Sequence, residues 1–66
     1  MVVIVNGEPR EVAEHCTVLE LMRLLGVKPE ITAVQHNADI VDRKAVAHTI
    51  LMDGDVVELV RIVGGG

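Results

Sequence analysis

Three glycines close the sequence, Gly64, Gly65 and Gly66, directly after the apolar stretch Arg61-Ile62-Val63. A run without Cβ atoms can lie in a groove too narrow for any other residue. The reactive group it presents is the carboxylate of Gly66. A carboxylate is a poor electrophile, because it carries negative charge and has no good leaving group. Reaction with ATP would convert it to an acyl-adenylate, and sulfur or an amine could then displace AMP. No side chain of this chain is needed for that chemistry; a partner enzyme supplies it. The plainer reading is an unconstrained chain end, which most domains have. Such ends are usually mixed polar residues, whereas here a strand-like run passes straight into glycine.

Other side chains offer less. Cys16 stands just before a helix start, where the helix dipole could lower a thiol pKa. A small, half-buried hydrophobe is the simpler role. A thiol enzyme using Cys16 with His15 is disfavoured, because neighbours on a strand point to opposite faces and no third group orients them. His15, His36 and His48 lack metal-ligand spacing, so no metal site is expected. Asp53-Gly54-Asp55 lacks the further ligands of a calcium loop and reads as a turn. Asp42-Arg43-Lys44 reads as a solvated turn.

Composition narrows the function classes. The chain has 66 residues and a formal net charge of -4, and it is half hydrophobic with no aromatic residue. One domain of this size buries only roughly 60% of its unfolded surface, too little to wrap a small molecule in an enclosed cavity. A module acting with a larger partner is the better fit. The acidic balance argues against nucleic acid, which needs a basic face, and the missing aromatics remove stacking platforms. The single cysteine excludes an intrachain disulfide and suits a reducing cytoplasm. The opening "MVVIVNGEPR" is no signal peptide, and no apolar run approaches the roughly 20 residues of a membrane span. A cytoplasmic protein without membrane contact is expected.

The elements that must position the glycine run follow from pattern. "MVVIV" is β-branched and apolar on both faces, which suits a strand buried on both sides or in mid-sheet. Asn6-Gly7 predicts a type I′ hairpin turn. The return strand is expected over about 9–13, at the sheet edge, because Pro9 cannot donate to a ladder. "TVLELMRLLG" is a helix: Thr17 and Glu20 form a capping box, and Val18, Leu21, Met22 and Leu25 make one apolar stripe. Gly26 supplies the left-handed cap and Pro29 prevents resumption. "ITAVQHN" is a third strand, Asn37 to Asp39 a turn, and Ile40-Val41 a short fourth strand. "DRKAVAH" suits a helical turn, and "VVELVRIV" is the last strand. The prediction is an α+β domain over 1–63, with one helix on one face of a mixed four- to five-stranded sheet, and a flexible tail over 64–66. The first and last strands should lie side by side in the centre. Val57 and Leu59 then face the helix, while Glu58, Val60 and Ile62 stand on the uncovered face, an apolar strip suited to docking a partner.

The whole chain resembles the ThiS family, the β-grasp sulfur carriers of thiamine biosynthesis related in fold to ubiquitin. The features that carry the likeness are "NGE" after the first strand, the "TVLELMRLLG" helix, "DGD" before the last strand and the terminal "VGGG". The resemblance implies that an E1-like enzyme, ThiF, adenylates the last glycine with ATP, the chain itself holding no cofactor. A cysteine desulfurase relay then supplies sulfur for a C-terminal thiocarboxylate, which the thiazole synthase ThiG uses to build the thiazole ring. It places the thiocarboxylate on Gly66, makes Gly65 and Gly64 the thread into the partner, and makes the chain a carrier rather than an enzyme. A monomer is expected when free. MoaD, the molybdopterin carrier, shares the fold and the Gly-Gly end but is usually longer. Two other readings stay open: a carrier serving molybdopterin or another thiolation, and a ubiquitin-like binding module without carrier chemistry.

Overall fold

The structure is a computed structural model, and it describes residues 1–62. The expected tail over 64–66, and its boundary with the domain at residue 63, lie outside the described residues. Strands β1 (Val2–Val5) and β2 (Glu8–Glu11) form a hairpin. Its turn needs two left-handed residues, and Asn6 and Gly7 have φ of 50° and 83°. The return strand begins at Glu8, earlier than expected, and is exposed throughout at the sheet edge, where the missing N–H of Pro9 costs no ladder bond.

Helix α1 (Val18–Leu24) starts on the expected capping box. The Glu20 amide donates to Thr17 Oγ1 at 3.1 Å, and the Thr17 amide to Glu20 Oε1 at 3.0 Å. It ends in a Schellman motif: Gly26, at φ 70°, donates to the Arg23 carbonyl, and Val27 to that of Met22. Val18, Leu21 and Met22 are buried, whereas Leu25, the fourth member of the stripe, is the C-cap and only half-buried. A 3-10 turn at Pro29–Ile31, which the sequence pattern did not announce, leads into β3 (Thr32–His36). The turn at Asn37-Ala38, again with two positive φ values, leads into β4 (Asp39–Val41). Asp42 caps a second 3-10 turn, Arg43–Ala45, through the Lys44 amide at 2.9 Å. The chain then passes the start of α1, where Leu51 is buried and donates to the Cys16 carbonyl. After the turn at Asp53-Gly54 it enters β5 (Val56–Arg61).

The sheet order is β2-β1-β5-β3-β4, with β1 and β5 parallel and the other pairs antiparallel. The first and last strands are neighbours and β5 is central, as their apolar character implied. Val3, Val5, Val34 and Val57 point under α1 and are buried with Leu21 and Met22. Of the two readings of β1, the mid-sheet one holds: it lies between β2 and β5, with Val2 40% exposed and Ile4 half-buried on the open face. One seven-residue helix covers only one side of the sheet.

Candidate functional site

The end of β5 is the part of the described chain that leads to Gly64, Gly65 and Gly66. Its alternation divides two faces. Val57 and Leu59 turn toward α1, Val57 fully buried and Leu59 packed against the core. Glu58, Val60 and Ile62 turn away; Val60 is 60% exposed and Ile62 54%. Register brings other residues beside them: Val60 pairs with Ala33, Glu58 with Gln35, and Gln35 with Ile40. Ile40 is 86% exposed and Val56 43%. The open face therefore carries apolar side chains on β1, β5 and β4, with Glu58 and the neighbouring Gln35 of β3 as a polar pair near its middle. Of the sequence-predicted site residues, the structure brings Glu58, Val60 and Ile62 onto this face. Gly64, Gly65 and Gly66 lie outside the described residues.

How β5 is held was not foreseen. β1 stops at Val5, so β5 runs past its parallel neighbour. The Asn6 side chain takes the neighbour's place: Oδ1 accepts from the Leu59 amide at 2.7 Å, and Nδ2 donates to the Leu59 carbonyl at 3.2 Å. At the other end, Asn37 Oδ1 accepts from the Val56 amide at 2.8 Å. Beyond Arg61 the Ile62 amide donates to the Ile31 carbonyl at 2.7 Å, so the β3 side stays bonded to the last described residue. A signal for both asparagines existed. Each is the first residue of a turn with positive φ, where Asn is favoured, and its amide is then free to reach an adjacent strand.

Asp55 ties the start of β5 together. Its Oδ2 accepts from the Met52 amide at 2.8 Å and lies 2.7 Å from His36 Nε2, while Oδ1 accepts from Asn37 Nδ2 at 3.0 Å. Burial alone would push this carboxyl up. The hydrogen bonds from His36, Asn37 and Met52 together outweigh it and hold the carboxyl below its ordinary range. "DGD" is therefore a turn, and its second aspartate is a hub of the fold.

The chemistry weighed for Cys16 is not supported. Its side chain is 5% exposed, and burial, then the carboxylate of Glu20, push the thiol up rather than down. The protonated thiol donates weakly to the Thr17 carbonyl at 3.4 Å. His15 lies on the exposed loop before it, at φ 66°. Among the described residues no three His, Cys, Asp or Glu come together to hold a metal ion. Nor, among them, is any helix long and apolar enough to cross a membrane.

Known proteins agree with this frame. The ThiS family model matches residues 3–66, and the chain belongs to that family. The crystal structure of the thiamine biosynthesis protein ThiS from Geobacter metallireducens superposes with a TM-score of 0.86, at 39% identity over 100% of both chains. The sheet with its one helix is thus the ubiquitin-like β-grasp of ThiS. The thiazole synthase of Paramagnetospirillum magneticum is 38% identical over 66 residues, all of this chain and 20% of that protein. The thiazole synthase of Magnetococcus marinus is 36% identical over 61 residues, 92% of this chain and 19% of that protein. The chain spans about a fifth of the length of these two relatives.

Proposed function

We propose that this member of the ThiS family is a sulfur carrier of thiamine biosynthesis and a co-substrate of other enzymes rather than a catalyst. The Gly66 carboxylate attacks the α-phosphorus of ATP on a ThiF-like, E1-like partner, and pyrophosphate leaves. A persulfide, fed by a cysteine desulfurase relay, adds its outer sulfur to the acyl carbon and expels AMP; a second thiol then attacks the inner sulfur of the acyl disulfide, closing a disulfide and releasing the thiocarboxylate. The thiocarboxylate that results delivers sulfur to a ThiG-like thiazole synthase. Gly65 and Gly64 thread the partner's channel, and Glu58, Val60 and Ile62 dock on its surface. On this reading 1–63 is the docking body and 64–66 the working end.

The observation that carries the reading is the extent of the family match, which runs through the glycines to Gly66 and so includes the reacting end in the family's own pattern. The apolar open face of β5 supports it, since a carrier must present a surface to each partner. Two relatives named thiazole synthase favour thiazole over molybdopterin as the destination of the sulfur. The test is intact-mass measurement of the chain after incubation with the adenylating enzyme, ATP and a sulfur source. One oxygen should be replaced by sulfur at Gly66. Gly65→Val, or one residue appended after Gly66, should abolish that change with stability intact. An appended chain, verified unprocessed, that still transfers sulfur at the unmodified rate would rule out the Gly66 carboxylate as the carrier group.

A further inference from the structure

A groove of about 340 Å³ lies on the other side of β5 from the docking face. It is lined by Gly26, Val27, Lys28, Ile31, Thr32 and Arg61. Alternation puts Arg61 on the face of Val57 and Leu59, opposite Thr32 of β3. It is exposed there because α1 ends at Leu24 and the chain turns away at Gly26 before reaching this end of the sheet. Ile31 both lines the groove and accepts the Ile62 amide, so the groove abuts the point where β5 leads to the glycines.

Its charge is opposite to that of the chain. Six basic residues face ten acidic ones in the sequence, yet two of the six, Lys28 and Arg61, share this groove and no acidic residue lines it. Among the described residues neither has a carboxylate within ion-pair distance; the pair that does form is His36 with Asp55. Among the described residues, two like charges thus line one groove with no carboxylate paired to either. Across the strand the open face carries Glu58. β5 is therefore acidic on one side and basic on the other as it approaches the glycines.

We propose that this groove receives a carboxylate side chain of the adenylating partner, and that the opposed charges of Glu58 and Arg61 fix the roll of β5 so that the glycine run enters that partner in one orientation. The inference rests on the carrier reading above and deepens it. A carboxylate fits better than an apolar anchor because the arginine fork pairs with it in bidentate fashion and Lys28 adds a second donor. Exposed pairs of this kind act chiefly on encounter rate and on the rejection of wrong orientations.

The test uses the full chain and the adenylating enzyme of the same organism, with affinity measured by calorimetry at low and high salt. Lys28→Glu with Arg61→Glu should weaken binding at low salt by about tenfold or more and remove most of the salt dependence seen for the unmodified chain. Arg61→Lys should lose part of the affinity, because the fork is lost and the charge kept. At saturating partner the double variant should still gain sulfur at Gly66 but more slowly than the unmodified chain, because occupancy is restored while fewer complexes seat the glycine run in the productive orientation. Unchanged affinity and salt slope in the double variant would overturn the proposal. Tighter binding would also overturn it, since it would mean that the groove holds the chain's own terminal carboxylate. Inorganic phosphate that raises the unfolding midpoint of the unmodified chain and not of the variant would assign the groove to a free anion instead. Binding is read in every arm, so failure of the unmodified chain to gain sulfur would sink the carrier reading without deciding this one.

Discussion

Asn6 should hold the exit of β5, and a graded series tests it. The side chain makes two hydrogen bonds to Leu59, one as acceptor at 2.7 Å and one as donor at 3.2 Å. Asn6→Asp keeps the acceptor and loses the donor. A net hydrogen bond contributes about 0.5–1.5 kcal/mol, and this site is open to water, so the cost should be about 0.5–1 kcal/mol. Asn6→Ala loses both bonds and places a Cβ residue without a local polar partner at φ 50°, which costs about 1–2 kcal/mol more. The total for alanine is about 1.5–3 kcal/mol, and in a domain this small each kcal/mol lowers the unfolding midpoint by about 4–8 °C. Thermal denaturation gives the ranking, and amide hydrogen exchange gives the location. The Leu59 amide should lose more protection than that of Val57, whose carbonyl is still held by the Asn6 backbone amide at 2.9 Å. If Asn6→Ala leaves the Leu59 amide as protected as before, relative to global unfolding, the clamp is not what fixes this strand.

Three other outcomes are expected. Leu21→Ala, in the middle of the buried stripe, should cost about 2–5 kcal/mol by denaturant titration; a midpoint within error of the unmodified chain would refute its place in the core. Val60→Asp should leave circular dichroism unchanged, because the side chain already faces water, yet lower calorimetric affinity for the adenylating partner; equal affinity would remove β5 from the docking surface. Asp55 titrates lower in the folded than in the unfolded chain, so the unfolded chain takes up the proton first as pH falls. Its stabilisation is complete above the unfolded carboxylate pKa of about 4 and disappears as pH drops through the depressed folded value. Stability measured from pH 6 down to 2 should show this acid limb, and Asp55→Asn should flatten it; an equally steep limb would place the acid sensitivity elsewhere.

What the sequence made legible was what local pattern decides. The Thr17–Glu20 box and Gly26 mark both ends of α1 because capping is a matter of residues three or four apart. Asn6-Gly7 gave the hairpin because few residue pairs accept two positive φ angles. The faces of β5 followed from alternation once a single helix was assigned to one side. Less legible was whatever depends on distant partners. Val46 and Leu51 are buried in a stretch with no periodicity, because the loop packs against the start of α1. Asp55 reads as half of a turn, and only the fold brings His36 and Asn37 to its carboxylate. β1 reads as doubly buried or mid-sheet because Val2 and Ile4 are apolar, and composition does not say whether a partner or a helix covers them.

The central strand is also the one that most outruns its neighbours, and that shapes the whole design. In a parallel pair β1 supplies partners only as far as Val57, while β5 continues for four residues more. A mid-sheet strand with one bare edge would leave backbone groups without partners beside an apolar face. A longer β1 would satisfy them, at the cost of moving the hairpin turn and lengthening the domain. The sequence instead uses turn asparagines, whose amide carries the same donor and acceptor as a peptide group. Asn6 serves the β1 side at Leu59 and Asn37 the β3 side at Val56, and the Ile31 carbonyl completes the β3 side at Ile62. Three residues outside strands thus supplement the pairing of β5, at its start on the β3 side, at Leu59 on the β1 side, and on the β3 side as far as the last described residue. Docking contacts at Val60 and Ile62 are thereby made on a backbone already fixed, which lowers the ordering cost of binding.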